Sequence, residues 1–230
     1  MIVRKRDDHF ILIQQHDHAL IAGEFASHMS QVLEPITKTL YAISHHDVGW
    51  LELDQTITWN EETNQPYSFV DYPLVPKVKA YTHGIDRTAE NDPYAGFLVS
   101  KHFASFFEKA TDSEGLRFLD QERQRQQALL KYLSEEERNH AEKNFRLLQF
   151  CDDLSLSLCL NEPMHNDHPW YIQGIHLDSQ VYRWVWEDHQ KLYLTPNLFT
   201  QSFSIKIPYQ IVDHNRNVVE REEFVFQILV

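Results

Sequence analysis

The sequence predicts an α+β fold, mainly helical from residue 18 to 160 and β-rich at either end. Three observations predict it. Apolar residues recur at helical spacing in four long segments between residues 18 and 160, alternation takes over after Asn161 in short runs separated by prolines, and residues 2–14 alternate on both sides of R-D-D-H. The expected organisation is a helical domain over residues 1–165, including the N-terminal hairpin. A C-terminal antiparallel β segment, 166–230, packs on it and shares a small sheet with the hairpin.

In order, residues 2–14 read as a hairpin turning near Asp7 and Asp8. From residue 18 to 34, His18, Ala22, Phe25, Met29 and Val32 form one face of a helix that Pro35 interrupts. A second helix over 36–53 aligns Ile36, Leu40, Ile43, Asp47 and Trp50. Residues 54–72 lack a period and read as a long loop able to act as a lid, with Trp59 and Tyr72 placed either to cover a substrate or to plug the bundle. A third helix runs from about 76 to 90 and carries Lys77, Lys79 and His83. Asp92 and Pro93 open a fourth, reaching about 109, with Leu98, His102 and Phe106 in line. Residues 115–132 (D-Q-E-R-Q-R-Q-Q at the centre) read as a solvated amphipathic helix. Ser134 and Glu137 form a capping box that starts a helix to about 160, whose inner row is Ala141, Phe145, Leu148, Asp152, Ser155 and Cys159, with Asp153 turned away. Strands follow at 181–186, 191–194, 203–207 and 224–230, with turns at 188–189 and 214–217.

Composition narrows the function. A formal charge of −13 lacks the basic footprint that nucleic acid or an anionic membrane requires, so neither is an expected partner. No stretch approaches the length of a transmembrane helix and no apolar export segment follows the N-terminus. Cys151 and Cys159 on one helix are about 12 Å apart along its axis, too far to bridge. A reduced, cytoplasmic protein with a small-molecule substrate is the expectation.

The chemistry concentrates where acidic and imidazole groups interrupt rows that face the core. His18, the adjacent pair His46 and Asp47, and Asp152 come from three distant helices, and burying an unpaired carboxylate costs several kcal/mol. A divalent cation offsets that cost. Imidazole nitrogen with carboxylate oxygen and no thiolate suits Mn, Fe, Ni, Co, Zn or Mg, one ion or two. His83 and His102 are candidate ligands for a second ion; Lys77, Lys79, Arg87 and Lys101 are the nearby cations for a phosphate, with Trp59 as a substrate cover.

H-A-L-I-A-G-E-F-A at 18–26, I-S-H-H-D-V-G-W at 43–50 and C-D-D-L-S at 151–155 resemble, in order, the motifs of the HD-domain superfamily of metal-dependent phosphohydrolases. The whole chain also resembles a bacterial family of unknown function. The superfamily resemblance implies an orthogonal helical bundle in which His18, His46, Asp47 and Asp152 ligate the metal, with His46 and Asp47 at the catalytic centre. It implies hydrolysis of a small phosphorylated molecule or nucleotide. A di-iron oxygenase on the same fold and a non-catalytic metal- or ligand-binding protein are the alternatives. Trp50 stands where many HD proteins have a basic residue, and the C-terminal sheet is an addition to that superfamily's core.

Overall fold

The computed structural model describes residues 1–30 and 33–230. Strands β1 (Ile2–Lys5) and β2 (His9–Ile13) form the hairpin, and helix α1 (Gln15–His28) leaves it directly. Then come α2 (Ile36–His45), a two-stranded ribbon of β3 (Trp59–Asn60) and β4 (Gln65–Pro66), α3 (Leu74–Asn91), α4 (Pro93–Ser105), α5 (Ser113–Leu129) and α6 (Glu135–Leu160). The C-terminal part supplies β5 (Ile175–Leu177), β6 (Gln180–Trp186), β7 (Lys191–Thr195), β8 (Phe203–Asp213) and β9 (Val218–Leu229). The class is α+β.

Seven strands form one sheet in the order β1-β2-β8-β9-β7-β6-β5. The N-terminal hairpin joins it through β2, antiparallel to β8 with His9 opposite Asp213. It is larger than the small antiparallel sheet expected, and β7 runs parallel to β9. β8 continues past Pro208, a residue expected to break it. Pro208 lies opposite Glu223 of β9 and beyond the last residue paired with β2, so its missing N–H leaves no ladder position empty.

Three helices end earlier than their periodicity predicts, α4 by a turn at Ser105 and two others by more. α1 stops at His28 because Met29 turns extended and bridges Phe199, while Ser30 N–H donates to Leu198 O at 3.0 Å and Thr200 N–H to His28 O at 2.9 Å. Tertiary pairing thus replaces the last helical turn. Val32, assigned to that helix's inner row, lies outside the described residues. α2 stops at His45, since Asp47 (φ −100°, ψ 18°) leaves the helical region and residues 48–50 make a single tight turn. The chain there must pass close to α3: a Cβ on Gly49 would sit 2.0 Å from Ala80 O, so only glycine fits.

α1, α2, α4 and α6 share one core, with Phe25, Ile43, Leu98, Phe103 and Leu154 all buried. Their junction is tied by Asn144, whose Nδ2 lies 2.8–2.9 Å from Glu34 O, Thr39 Oγ1 and Tyr94 OH and shares its two N–H groups among them. α5 packs on α4 through Phe118 and Leu119 and buries Glu122, which accepts from Ser100 Oγ at 2.8 Å and pairs with Arg125 at 2.9 Å. The polar run is therefore only partly solvated. On the other side Phe25 and Trp184 join α1 to the sheet, and Trp184 Nε1 donates to Ser157 Oγ of α6 at 2.9 Å. Cys151 and Cys159 are buried and unpaired. Among the described residues no helix is long and apolar enough to cross a membrane.

Candidate metal centre

Where α1, the end of α2, α4 and α6 meet, five metal-type side chains converge, each almost completely buried: His18, His46, Asp47, His102 and Asp152. His18 Nε2 lies 2.8 Å from Asp47 Oδ2 and 3.7 Å from Asp152 Oδ1. His46 Nε2 is 3.5 Å from Asp152 Oδ1 and 3.7 Å from Asp47 Oδ2. Donor atoms ~2.1 Å from one ion at octahedral or tetrahedral angles lie about 3.0–3.4 Å apart; the spacings here, 2.8–3.7 Å, fall on either side of that range, so side-chain shifts of a few tenths of an ångström would bring them to a common centre. His102 Nε2 sits 3.6 Å from the other oxygen, Asp152 Oδ2. Asp152 thus faces two groups, His18–His46–Asp47 on one side and His102 on the other.

The hydrogen bonds around the cluster dictate what it lacks. His46 Nδ1 is 2.7 Å from Ile43 O, which can only accept, so Nδ1 carries the proton and the neutral ring turns a bare Nε2 lone pair into the site. That buried Nε2 has no hydrogen-bond partner. A lone pair enclosed with two carboxylates needs a positive charge between them, a proton or a metal ion. Burial pulls the His46 imidazole down, but Asp47 and Asp152 outweigh it and raise it to about 9. Burial pushes the Asp152 carboxyl up, and His46 with its neighbouring imidazoles pulls it well below the usual range. The donor set therefore fits a divalent ion that exchanges with a proton.

Other residues hold these groups in place. Ser155 Oγ, one turn along α6 from Asp152, lies 2.7 Å from His18 Nδ1 and donates to Asp152 O at 3.0 Å, so it accepts from His18 Nδ1–H and directs Nε2 inward. Gln15 Nε2 donates to Asp47 Oδ2 at 3.1 Å, and its buried Oε1 has no partner. Neither was marked as a site residue by the sequence; Ser155 stood on the predicted inner row, and Gln15 falls before the stripe begins. Burial holds His102 down to about 4 and neutral, despite Asp152. A cavity of about 40 Å³ lies against Gln15, His18, Asp47, His102 and Asp152, room for roughly three waters.

Not every residue singled out in the sequence comes to this point. His83 is exposed on α3 and belongs to no metal-type group among the described residues, because the helix turns its neighbours Tyr81, Gly84 and Ile85 inward instead. Lys79 is exposed. Lys101 pairs with Glu142 and lies 4.5 Å over the Phe145 ring. Trp59 packs on Phe10 with centroids 5.7 Å apart and under Arg216 at 5.0 Å, and does not line the cavities at the cluster. Lys77 does reach the neighbourhood, but its ammonium donates to Phe69 O at 3.0 Å and Val70 O at 3.2 Å and holds the loop before α3. From that loop Phe69, which no pattern marked, faces the cluster. Asp153 is not turned to solvent; it accepts from Tyr171 OH at 3.0 Å.

The fold and cluster define an α+β protein with a buried His/Asp group competent to hold a metal. Over residues 1–214 the sequence matches the family described as protein of unknown function, DUF3891, and the chain belongs to that family. No curated protein and no solved structure matches it.

Proposed function

We propose that this chain is a metal-dependent phosphohydrolase of HD type, in which His18, His46, Asp47 and Asp152 hold a divalent ion and His102 stands beside a second position. The observation that carries the reading is the buried Nε2 of His46, without a hydrogen-bond partner beside two carboxylates. Further support comes from the order H…HD…D, carried by α1, the α2 terminus and α6.

A divalent ion in such a site lowers the pKa of a water and polarises a phosphoryl oxygen. The chain's own residues do the rest. Ser155 and Ile43 O fix which ring nitrogens face inward, and Gln15 fixes Asp47. In the overall reaction a water oxygen forms the new bond to phosphorus, the ester P–O bond breaks, and the proton shed by the water ends on the departing alkoxide.

The test is elemental analysis of protein purified without a chelating tag, followed by phosphate release from a panel of nucleotides and phosphoesters. Stoichiometric metal, turnover that chelation abolishes and loss of both in His46→Ala are expected. A protein that retains metal and hydrolyses nothing on the panel overturns the enzyme reading. Because His46, His102 and Asp152 form a second metal-type group, two irons per chain with oxygen uptake would favour the di-iron oxygenase instead.

A further inference from the structure

A second cavity of about 370 Å³ opens directly onto the cluster, sharing Phe69, Tyr81, Phe106, Asp152 and Leu156 with the small inner one. It falls within the size range of small-molecule sites. Its outer wall is apolar and incompletely covered: Val70, Phe106 and Trp170 are 54 %, 55 % and 53 % exposed. Phe106 leans edge-on against His102, centroids 4.8 Å apart, so this wall begins at the cluster itself. Phe69 and Trp170, from separate loops, meet edge-on at 6.0 Å and 80°.

The basic group of the cleft and the Tyr171 hydroxyl are already engaged. Lys77 is the one basic side chain lining it among the described residues, and its ammonium serves two backbone carbonyls. Tyr171 OH serves Asp153. A polyphosphate in this space would meet Asp152 and Asp153 with no free cation among the described lining residues to balance it, whereas an aromatic ring gains by covering rings that water now wets.

We propose that this cleft holds an aromatic, apolar part of the substrate, so that the phosphoester reaching the His/Asp cluster carries an aryl rather than a nucleoside group. The proposal rests on the hydrolase reading for its reaction and on the cleft alone for its preference. Two measurements separate them: calorimetric binding of 1-naphthol, which needs no turnover, and kcat/KM for 1-naphthyl phosphate, methyl phosphate and AMP with metal-loaded protein. Naphthol is expected to bind, and the naphthyl ester to be the best of the three substrates. Trp170→Ala and Phe106→Ala, both at exposed positions, should each weaken naphthol binding and the naphthyl-over-methyl ratio by about tenfold, while Trp170→Phe keeps most of both. Naphthol binding that these variants lose, with no ester hydrolysed, supports the cleft and sinks the hydrolase reading. AMP turned over better than the naphthyl ester, no naphthol binding, or a dimer in sedimentation that Trp170→Ala dissolves, which would mean a second copy covers this face, overturns the proposal.

Discussion

At the scale of single residues, the cluster is governed by which atom of each side chain is already spoken for. Ser155→Ala removes the acceptor that orients His18, and the loss of such a supporting contact is expected to weaken Mn²⁺ binding about 10- to 100-fold, read by titration calorimetry, with the helical circular dichroism unchanged. Asp153 gives a second expectation. In the metal-free protein burial, with the charge of Asp152, raises its carboxyl to about 7 against the hydrogen bond from Tyr171. An acid whose folded pKa is raised costs stability where the unfolded chain has ionised and the folded one resists. That cost is absent below about pH 4, grows as pH rises and is complete above about 7. Asp153→Asn, which keeps an acceptor for Tyr171, should therefore gain urea resistance over the wild type progressively across that window. A difference that does not change with pH would contradict the assignment.

At the scale of elements, the turn after α2 decides where Asp47 points. Gly49→Ala forces a methyl group toward Ala80 O, backbone that cannot step aside, and an overpacked contact of this kind costs about 1–3 kcal/mol. The unfolding midpoint should fall accordingly, and metal binding with it, because Asp47 lies two residues away. How much of this was legible in the sequence follows from the same elements. The hairpin, the capped starts of α4 and α6 and four converging imidazole and carboxyl side chains could be read because caps and helical rows are local patterns. What stayed hidden depends on distant partners. The early end of α1 is set by Phe199 and Leu198, the burial of Glu122 by Ser100 and Arg125, and the facing of Phe69 by the hold of Lys77 on its loop. Trp59 drew attention as a large aromatic in a long loop, but its face is taken by Phe10 and Arg216.

At the scale of the whole molecule, a ligand that binds only the folded state stabilises it in proportion to its occupancy. Free metal at 100 times its dissociation constant adds about 2.7 kcal/mol, which for a chain of this size is about 5–10 °C in Tm. Scanning calorimetry of chelator-treated protein with and without added Mn²⁺ should show that rise, and Asp47→Asn with Asp152→Asn should abolish it. A rise that persists in the double variant would place the ion elsewhere.

The pairing of His9 with Asp213 carries a consequence for biosynthesis. A polypeptide still emerging from the ribosome has α1 to α6 long before it has the strand on which the hairpin rests. The imidazole and carboxyl groups must then wait in a half-built shell until β8 arrives. Contacts between such distant stretches form slowly. Assembly of the cluster is for that reason expected to be a late event, paced by closure of the β-layer.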